Sequence, residues 1–256
     1  MSIFVLESDI HLLRQSGKIL AAAIEEAKKY ILPGVKTVFI DEMVENSIAR
    51  QGARPAFKGY RGFPASLCIS INDQVVHGIP GERVIQEGDL VSVDVGVDYK
   101  GYFTDSAFSK VAGNSVGVAD HLIKIAKKSL FEGIHMAIVG NRIGDISFSI
   151  QKYIEKKGFS VVRDFVGHGL GRTLHEEPQI PNFGPKNQGP LIKKGMVLAI
   201  EPMVNEKGYQ VQILEDGWTV VTRDGGLSAH YEHTILVTEG GPEVLTMKER
   251  GDEEKA

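Results

Sequence analysis

Apolar side chains recur with a helical period at the start of the chain. Leu12, Leu13, Leu20, Ala23, Ile24 and Ala27 form one stripe in a segment running from about Asp9 to Ile31. Ser8 or Asp9 is placed to cap its start, and Pro33-Gly34 ends it. A second helical segment follows Thr37, a suitable N-cap residue, and ends at Gly52. The period then shortens to two. Leu67 to Ile71 and Leu90 to Val95 read as strands, and Tyr102 to Val111 as a hairpin partner turned at Lys100-Gly101. Two further helices are predicted, from about Val116 to Ala137 and from about Asp145 to Lys157, with Gly140 between them and Gly158 after them. Strands are expected at Ser160 to Phe165, Met196 to Glu201, Gln210 to Leu214, Trp218 to Thr222 and Thr234 to Val237.

The order of elements repeats, and so do residues. Without gaps, Gly88 falls on Gly195, Val97 on Val204, and Lys100-Gly101-Tyr102 on Lys207-Gly208-Tyr209. In the same alignment Asp94 falls on Glu201, 107 positions later. That spacing is too long for a solenoid. It predicts an α+β domain of two helix-helix-sheet halves, about 1–110 and 111–240, related by a pseudo-two-fold axis and sharing one curved antiparallel sheet. Residues 1–248 are expected to form a single catalytic domain, and the charged residues 249–256 a frayed tail.

Composition narrows the classes. Of 256 residues, 42% are hydrophobic and 24% charged, which is ordinary globular usage and excludes wholesale disorder. A net charge of -4 supplies no bulk basic field for nucleic acid. The single cysteine, Cys68, excludes an intrachain disulfide and a thiolate-built zinc site, and fits a reducing compartment. No basic n-region precedes the four apolar residues near the start, and no run reaches about 18 apolar residues, so a soluble cytoplasmic protein is expected.

Acids stand where strands end. Asp94 closes Val-Ser-Val-Asp, and Asp105 lies across the predicted hairpin, where the turn would bring the two opposite each other. Glu201 precedes Pro202, which cannot donate to a sheet and so interrupts the strand there. Glu232 lies just before Ile235-Leu236-Val237, and His168 sits between glycines that permit a sharp turn. Taken singly, either aspartate reads equally well as a solvated turn residue, and a histidine of this kind is more often structural. Together, four carboxylates and an imidazole carry about -4, which two divalent ions balance and one does not. Oxygen-rich ligands of this kind suit Mn, Fe(II), Co or Zn. Two tempting motifs fail. Gly167-His168-Gly169-Leu170-Gly171 lacks the spacing of a dinucleotide loop and leads into no helix, and His175-Glu176-Glu177 lacks the second histidine of a zincin, since position 179 is Gln.

The residues also resemble a family. Ser66 to Asn72, Val76-His77-Gly78-Ile79-Pro80, Val93-Asp94-Val95-Gly96, Thr104-Asp105, Gly167 to Arg172, His175 to Pro178, Ile200-Glu201-Pro202 and His230 to Thr234 are similar to type I methionine aminopeptidases of the pita-bread metallopeptidase superfamily. The resemblance implies removal of N-terminal methionine from nascent chains with a small second residue. It implies Asp94 as a terminal ligand of one metal, Asp105 and Glu232 as bridges, and His168 and Glu201 as ligands of the other. His77 and His175 would contact substrate, Glu201 would also shuttle a proton, and Tyr60, Phe63, Cys68 and Trp218 would hold the methionine side chain. Leu174 departs from relatives that carry an aromatic residue there. Only 25 residues separate His175 from Glu201, which leaves no room for the insertion of type II relatives. A monomer acting on nascent N-termini is expected, with the ribosome as a candidate partner through lysines near 124–128 and 152–157. The rival readings are an Xaa-Pro aminopeptidase or prolidase, which usually carries an added N-terminal domain, and a non-catalytic module that binds peptides or ribosomes.

Overall fold

Four helices bury the stripes read from the sequence. A computed structural model describes residues 7–114 and 117–247; the predicted tail at 249–256 and the Val116 start of the third helix lie outside the described residues. The helices are α1 (Ile10–Tyr30), α2 (Thr37–Arg50), α3 (Val118–Met136) and α4 (Ile143–Lys156). Leu13, Leu20, Ala23, Ile24 and Ala27 of α1 are all buried. Two caps differ from expectation. Thr37 is the first helical residue of α2, and its hydroxyl donates to Gly81 O and accepts from Gly81 N. Asp9 makes no side-chain cap on α1 because its carboxylate accepts the Tyr102 hydroxyl and faces Arg172.

Strands β1 (Arg54–Pro55), β2 (Leu67–Ile71), β3 (Gln74–Val76), β4 (Leu90–Tyr99) and β5 (Tyr102–Val111) precede α3. After α4 come β6 (Ser160–Val161), β7 (Gly167–Gly169), β8 (Glu176–Ile180), β9 (Val197–Ile200), β10 (Met203–Asn205), β11 (Val211–Ile213), β12 (Val220–Thr222), β13 (Ser228–His230), β14 (His233–Thr238) and β15 (Gly241–Val244). Lys100 and Gly101 turn the β4–β5 hairpin with φ of 54° and 78°, the left-handed pair that a two-residue hairpin turn requires. The expected strand at Ser160 to Phe165 stops at Val161, because only its first residues reach β10. The break predicted at Pro202 is present: β9 ends at Ile200 and pairing resumes with Met203.

The backbone ladders of the antiparallel sheet fall into four groups. β1, β2, β4 and β5 form one, and β15-β14-β9-β7-β8 another. β13-β10-β6 and β11-β12-β3 form two smaller ones. The two larger sheets are stitched at β5 and β14. Ala107 and Glu232 exchange backbone hydrogen bonds. The Thr234 hydroxyl accepts from Asp105 N at 2.8 Å and donates to Asp105 O at 2.7 Å.

Alternation along the strands sorts the rest. Val91, Val93, Val95 and Val97 join the aliphatic core beneath α1 and α2, which turns Ser92, Asp94 and Gly96 to the opposite face. Leu198 and Ile200 likewise join the core beneath α3 and α4, so Glu201 continues the face of Val197 and Ala199. The frames of the halves correspond. An isolated bridge Lys36↔Val84 leads into α2, and Arg142↔Leu191 leads into α4. Pro55 pairs with Val97 where Val161 pairs with Val204. Among the described residues, no helix is long and apolar enough to cross a membrane.

The Thr234 stitch makes a test of this seam. Thr234→Val leaves the buried Asp105 N–H and C=O without that partner, which costs about 2–4 kcal/mol. Chemical denaturation should show that loss, whereas Thr238→Val, which removes only hydrogen bonds within the half-buried turn to β15, should change stability less.

Candidate active site

The acids converge on the seam between the two larger sheets. Asp94 comes from β4, Asp105 from β5, His168 from β7, Glu201 from just past β9, and Glu232 from the step between β13 and β14. Asp94 and Asp105 are not directly opposite, as expected from the turn. The two-residue turn pairs Tyr99 with Tyr102, so Asp94 faces Ala107 and Asp105 faces Gly96. The carboxylates therefore lie diagonally on one face, close enough to share a hydrogen bond when one is protonated. Gly96 is a glycine for space: a Cβ there would collide with the Phe57 ring.

The glycines around His168 also make room rather than a turn. Both lie in β7, squeezed between β8 and β9, where added Cβ atoms would collide with Ala199 O and Glu177 O. His168 Nδ1 lies 2.9 Å from Gly169 O, which can only accept, so the proton sits on Nδ1. That leaves the Nε2 lone pair facing the acids, 3.6 Å from Glu201 Oε1 and 4.0 Å from Asp105 Oδ2. His230 lies on the far side of Glu201, its Nε2 3.7 Å from Oε2. The sequence reading gave His230 no role. Its signal was present, two residues before Glu232 in an extended segment.

The interior is dry and crowded with acids. Asp105, Glu232, His168 and His230 are buried, while Asp94 and Glu201 keep limited exposure. Asp94 Oδ1, Asp105 Oδ1 and Glu232 Oε1 have no hydrogen-bond partner. Burial raises the Asp94 carboxyl to about 7. Burial, then the neighbouring charges, pushes Asp105, Glu201 and Glu232 well above the ordinary range. Burial also lowers His168 to about 4 and His230 to about 3, so both imidazoles are neutral and add no balancing charge at pH 7. Such a cluster must hold either protons or cations. Its donors fit hard or borderline divalent ions: ligating atoms of Asp105, His168 and Glu232 lie within 4.8 Å of one another.

A cavity of about 150 Å³ opens onto the acids. Phe63, Cys68 and Leu174 are its buried walls, with Phe57, Tyr60 and Trp218 beside them. Leu174, expected to weaken one wall, is 2% exposed and packed into place. Burial, then the charges of Asp94 and Asp105, raises the Cys68 thiol well above its usual value, so it stays neutral. His175 and Arg61 stand at the exposed rim. The His175 ring stacks on Tyr60, whose hydroxyl lies 2.9 Å from Nδ1, and comes within 4.3 Å of the His168 ring. Burial, then the charge of neighbouring His168, lowers His175 to about 3. His77 lines the cavity in a left-handed conformation, φ 60°, edge-on to Trp218 at 6.5 Å. All the side chains singled out from the sequence thus meet in one place; Phe57 and Arg61 were missed, since neither periodicity nor charge marks them. A wider groove of about 970 Å³ between α1 and β15 carries paired surface charges such as Arg14–Glu243 and, among the described residues, no ligating cluster.

Residues 11–239 match metallopeptidase family M24. The chain belongs to that family. It is 52% identical over 247 residues to a methionine aminopeptidase of Clostridium perfringens, covering 96% of this chain and 99% of the relative. Among solved structures it is similar to a methionine aminopeptidase of Thermotoga maritima, with a TM-score of 0.95, 44% identity and coverage of 97% and 100%. A prolidase of Pyrococcus furiosus shares the fold alone, with a TM-score of 0.80 at 23% identity; this chain spans 66% of it. M24 membership implies use of a divalent metal, in accord with the donor set.

The acids make stability depend on pH in a defined direction. A carboxyl whose folded value is raised binds protons more tightly folded than unfolded, so its contribution falls as pH rises. Below about 6.5 the lowered histidines act in the opposite sense, because the unfolded chain binds their protons. Above it only the carboxylates act. Chelator-treated protein should therefore lose melting temperature steadily between about pH 6.5 and 8.5, and Mn(II) should abolish that slope by displacing the protons.

Proposed function

We propose that the chain is a methionyl aminopeptidase that uses two divalent ions to remove the N-terminal methionine from nascent polypeptides whose second residue is small. One observation carries this reading: buried carboxylate oxygens without partners stand at the inner end of a small cavity walled by Phe63, Cys68, Trp218 and Tyr60. Asp94 would hold one ion as a terminal ligand, Asp105 and Glu232 would be shared between the two, and His168 and Glu201 would hold the other. The bridging roles are supported by burial, since Asp105 and Glu232 are 4% and 2% exposed and each has a free oxygen. Two ions balance the charge of about -4 that four ionised acids carry. The candidate metals are Mn, Fe(II), Co and Zn. When bound, such ions would supply Lewis acidity, polarising the scissile carbonyl and lowering the pKa of a water.

The chain's own groups do the rest. Glu201 is the proton shuttle. Its oxygens stand between two imidazoles, 3.6 Å from His168 Nε2 and 3.7 Å from His230 Nε2, which are neutral and do not compete as acids. The Tyr60 hydroxyl lies 2.9 Å from His175 Nδ1, and in the tautomer in which it donates there an N–H stands on Nε2. From the rim that N–H stabilises the oxyanion as the carbonyl is attacked, and His77 contributes from the Trp218 side. The aromatic faces and neutral thiol of the walls suit a thioether, which is soft and polarisable. The single cysteine supports action in a reducing compartment, the cytoplasm, on chain ends as they leave the ribosome.

Metal-stripped protein reconstituted with Mn(II), Fe(II) or Co(II) should release methionine from Met-Ala-Ser and leave Ala-Pro-Ala intact. Cleavage only before proline would sink the assignment in favour of a prolidase-like enzyme. Asp105→Asn should lower kcat by about a thousandfold or more, because an amide bridges ions poorly. Calorimetry should then find fewer than two ions bound per chain; near-normal turnover would reject the bridging role.

A further inference from the structure

Trp218 is the chain's one tryptophan, and its ring forms one wall of the cavity. It meets Phe63 edge-on at 5.2 Å and His77 at 6.5 Å. Yet the residue stands at the tip of the β11–β12 hairpin, where the neighbouring side chains face water: Ile213 is 60% exposed and Leu214 41%. A wall built on an exposed tip needs something to hold its direction.

Asp216 supplies it. Its Oδ1 accepts the backbone N–H of Trp218 and that of Thr219, each at 2.8 Å, and its Oδ2 accepts the Thr219 hydroxyl at 2.6 Å. Thr219 is 2% exposed, so the carboxylate is tied to a point fixed in the interior. Gly217 takes a φ of 75° to let the side chain fold back onto the residues after it. Leu214 N to Thr219 O, 2.8 Å, and Gly217 N to Leu214 O, 3.0 Å, close the tip around it. The Thr219 hydroxyl, followed by the backbone donors, holds the Asp216 carboxyl below its ordinary value, so it is charged at pH 7.

We propose that Asp216 is a positioning residue for the methionine pocket: by gripping two successive backbone N–H groups it sets the direction in which Trp218 leaves the chain, and so places the ring against Phe63 and His77. The inference rests on the methionine-removing reading of the cavity. The metal-ligating acids and His168 sit on β4, β5, β7 and the segments after β9 and β13, His175 precedes β8 and His77 follows β3, and none of them hydrogen-bonds to Asp216. Loosening the tip therefore acts on the pocket wall and on binding of the first side chain ahead of the chemical step.

The lone tryptophan makes this visible apart from activity. Metal-loaded Asp216→Ala should emit further to the red and be quenched more strongly by acrylamide. Its KM for Met-Ala-Ser should rise about five- to tenfold, with kcat within about twofold. Asp216→Asn keeps the Oδ1 acceptor and should restore emission and most of KM. Asp216→Glu keeps the charge but misplaces the carboxylate, and should resemble Asp216→Ala. Wild-type emission and KM in Asp216→Ala or Asp216→Glu would overturn the proposal, as would a fall in kcat alone. Should the wild-type enzyme release no methionine, the functional reading fails, while the emission of the three variants still decides whether Asp216 sets Trp218.

Discussion

Like charge gathered in a dry interior is the constraint on which the rest of this fold depends. Four carboxyl groups share a space a few ångströms across, and three of their oxygens have no protein partner. No arrangement of aliphatic side chains rewards that, so the stability that permits it must be generated elsewhere. It comes from the two cores under the helix pairs, where Val91 to Val97 and Leu198 to Ile200 send alternate side chains away from the acids. The same alternation that fills those cores turns Asp94 and Glu201 the other way. The glycines Gly96, Gly167 and Gly169 let rings and neighbouring strands close over the seam, and Thr234 ties its two sides together.

The halves share a frame and differ in how they complete it. β4 finds its partner at once, through the Lys100-Gly101 turn, so two acids lie on one unbroken hairpin. β9 is cut short before Pro202 and pairs with β14, many residues later. The chain between them is thereby free to form β10 to β13, and it is this excursion that brings in Trp218, His230 and Glu232. Both halves therefore reach the pocket, Tyr60, Phe63 and Cys68 from the first and Leu174 and Trp218 from the second.

Much of this was legible in the sequence, for identifiable reasons. The hairpin Tyr102 to Val111 and the strand Leu67 to Ile71 were read to the residue, because each has enough positions to display a period and the turn is marked by glycine. The acids stood out because a carboxylate ending a run of valines contradicts the burial around it. Strands of three residues, such as β7, β10 and β13, show no period, and only distant partners make them strands. The diagonal offset of Asp94 and Asp105 follows from the turn's register, which the sequence marked without counting out. Gly167 and Gly169 were read as permitting a sharp turn, although what they provide is space; that distinction depends on β8 and β9, later in the chain. Thr37 has the chemistry of a cap but spends its hydroxyl on Gly81, a partner that appears only when the loop folds back. His77 and His175 carried no signal of their own and were found through resemblance alone.

The cavity's dimensions carry one more meaning. About 150 Å³, with buried acids among its walls, is room for a single side chain. A loop must enter and leave, and a space of that size does not take in both of its strands. Folded neighbours are thus exempt without any inhibitor or compartment to protect them. The same shape also works as a timer, since a new chain can be processed only while its first residue has not yet been claimed by its own fold.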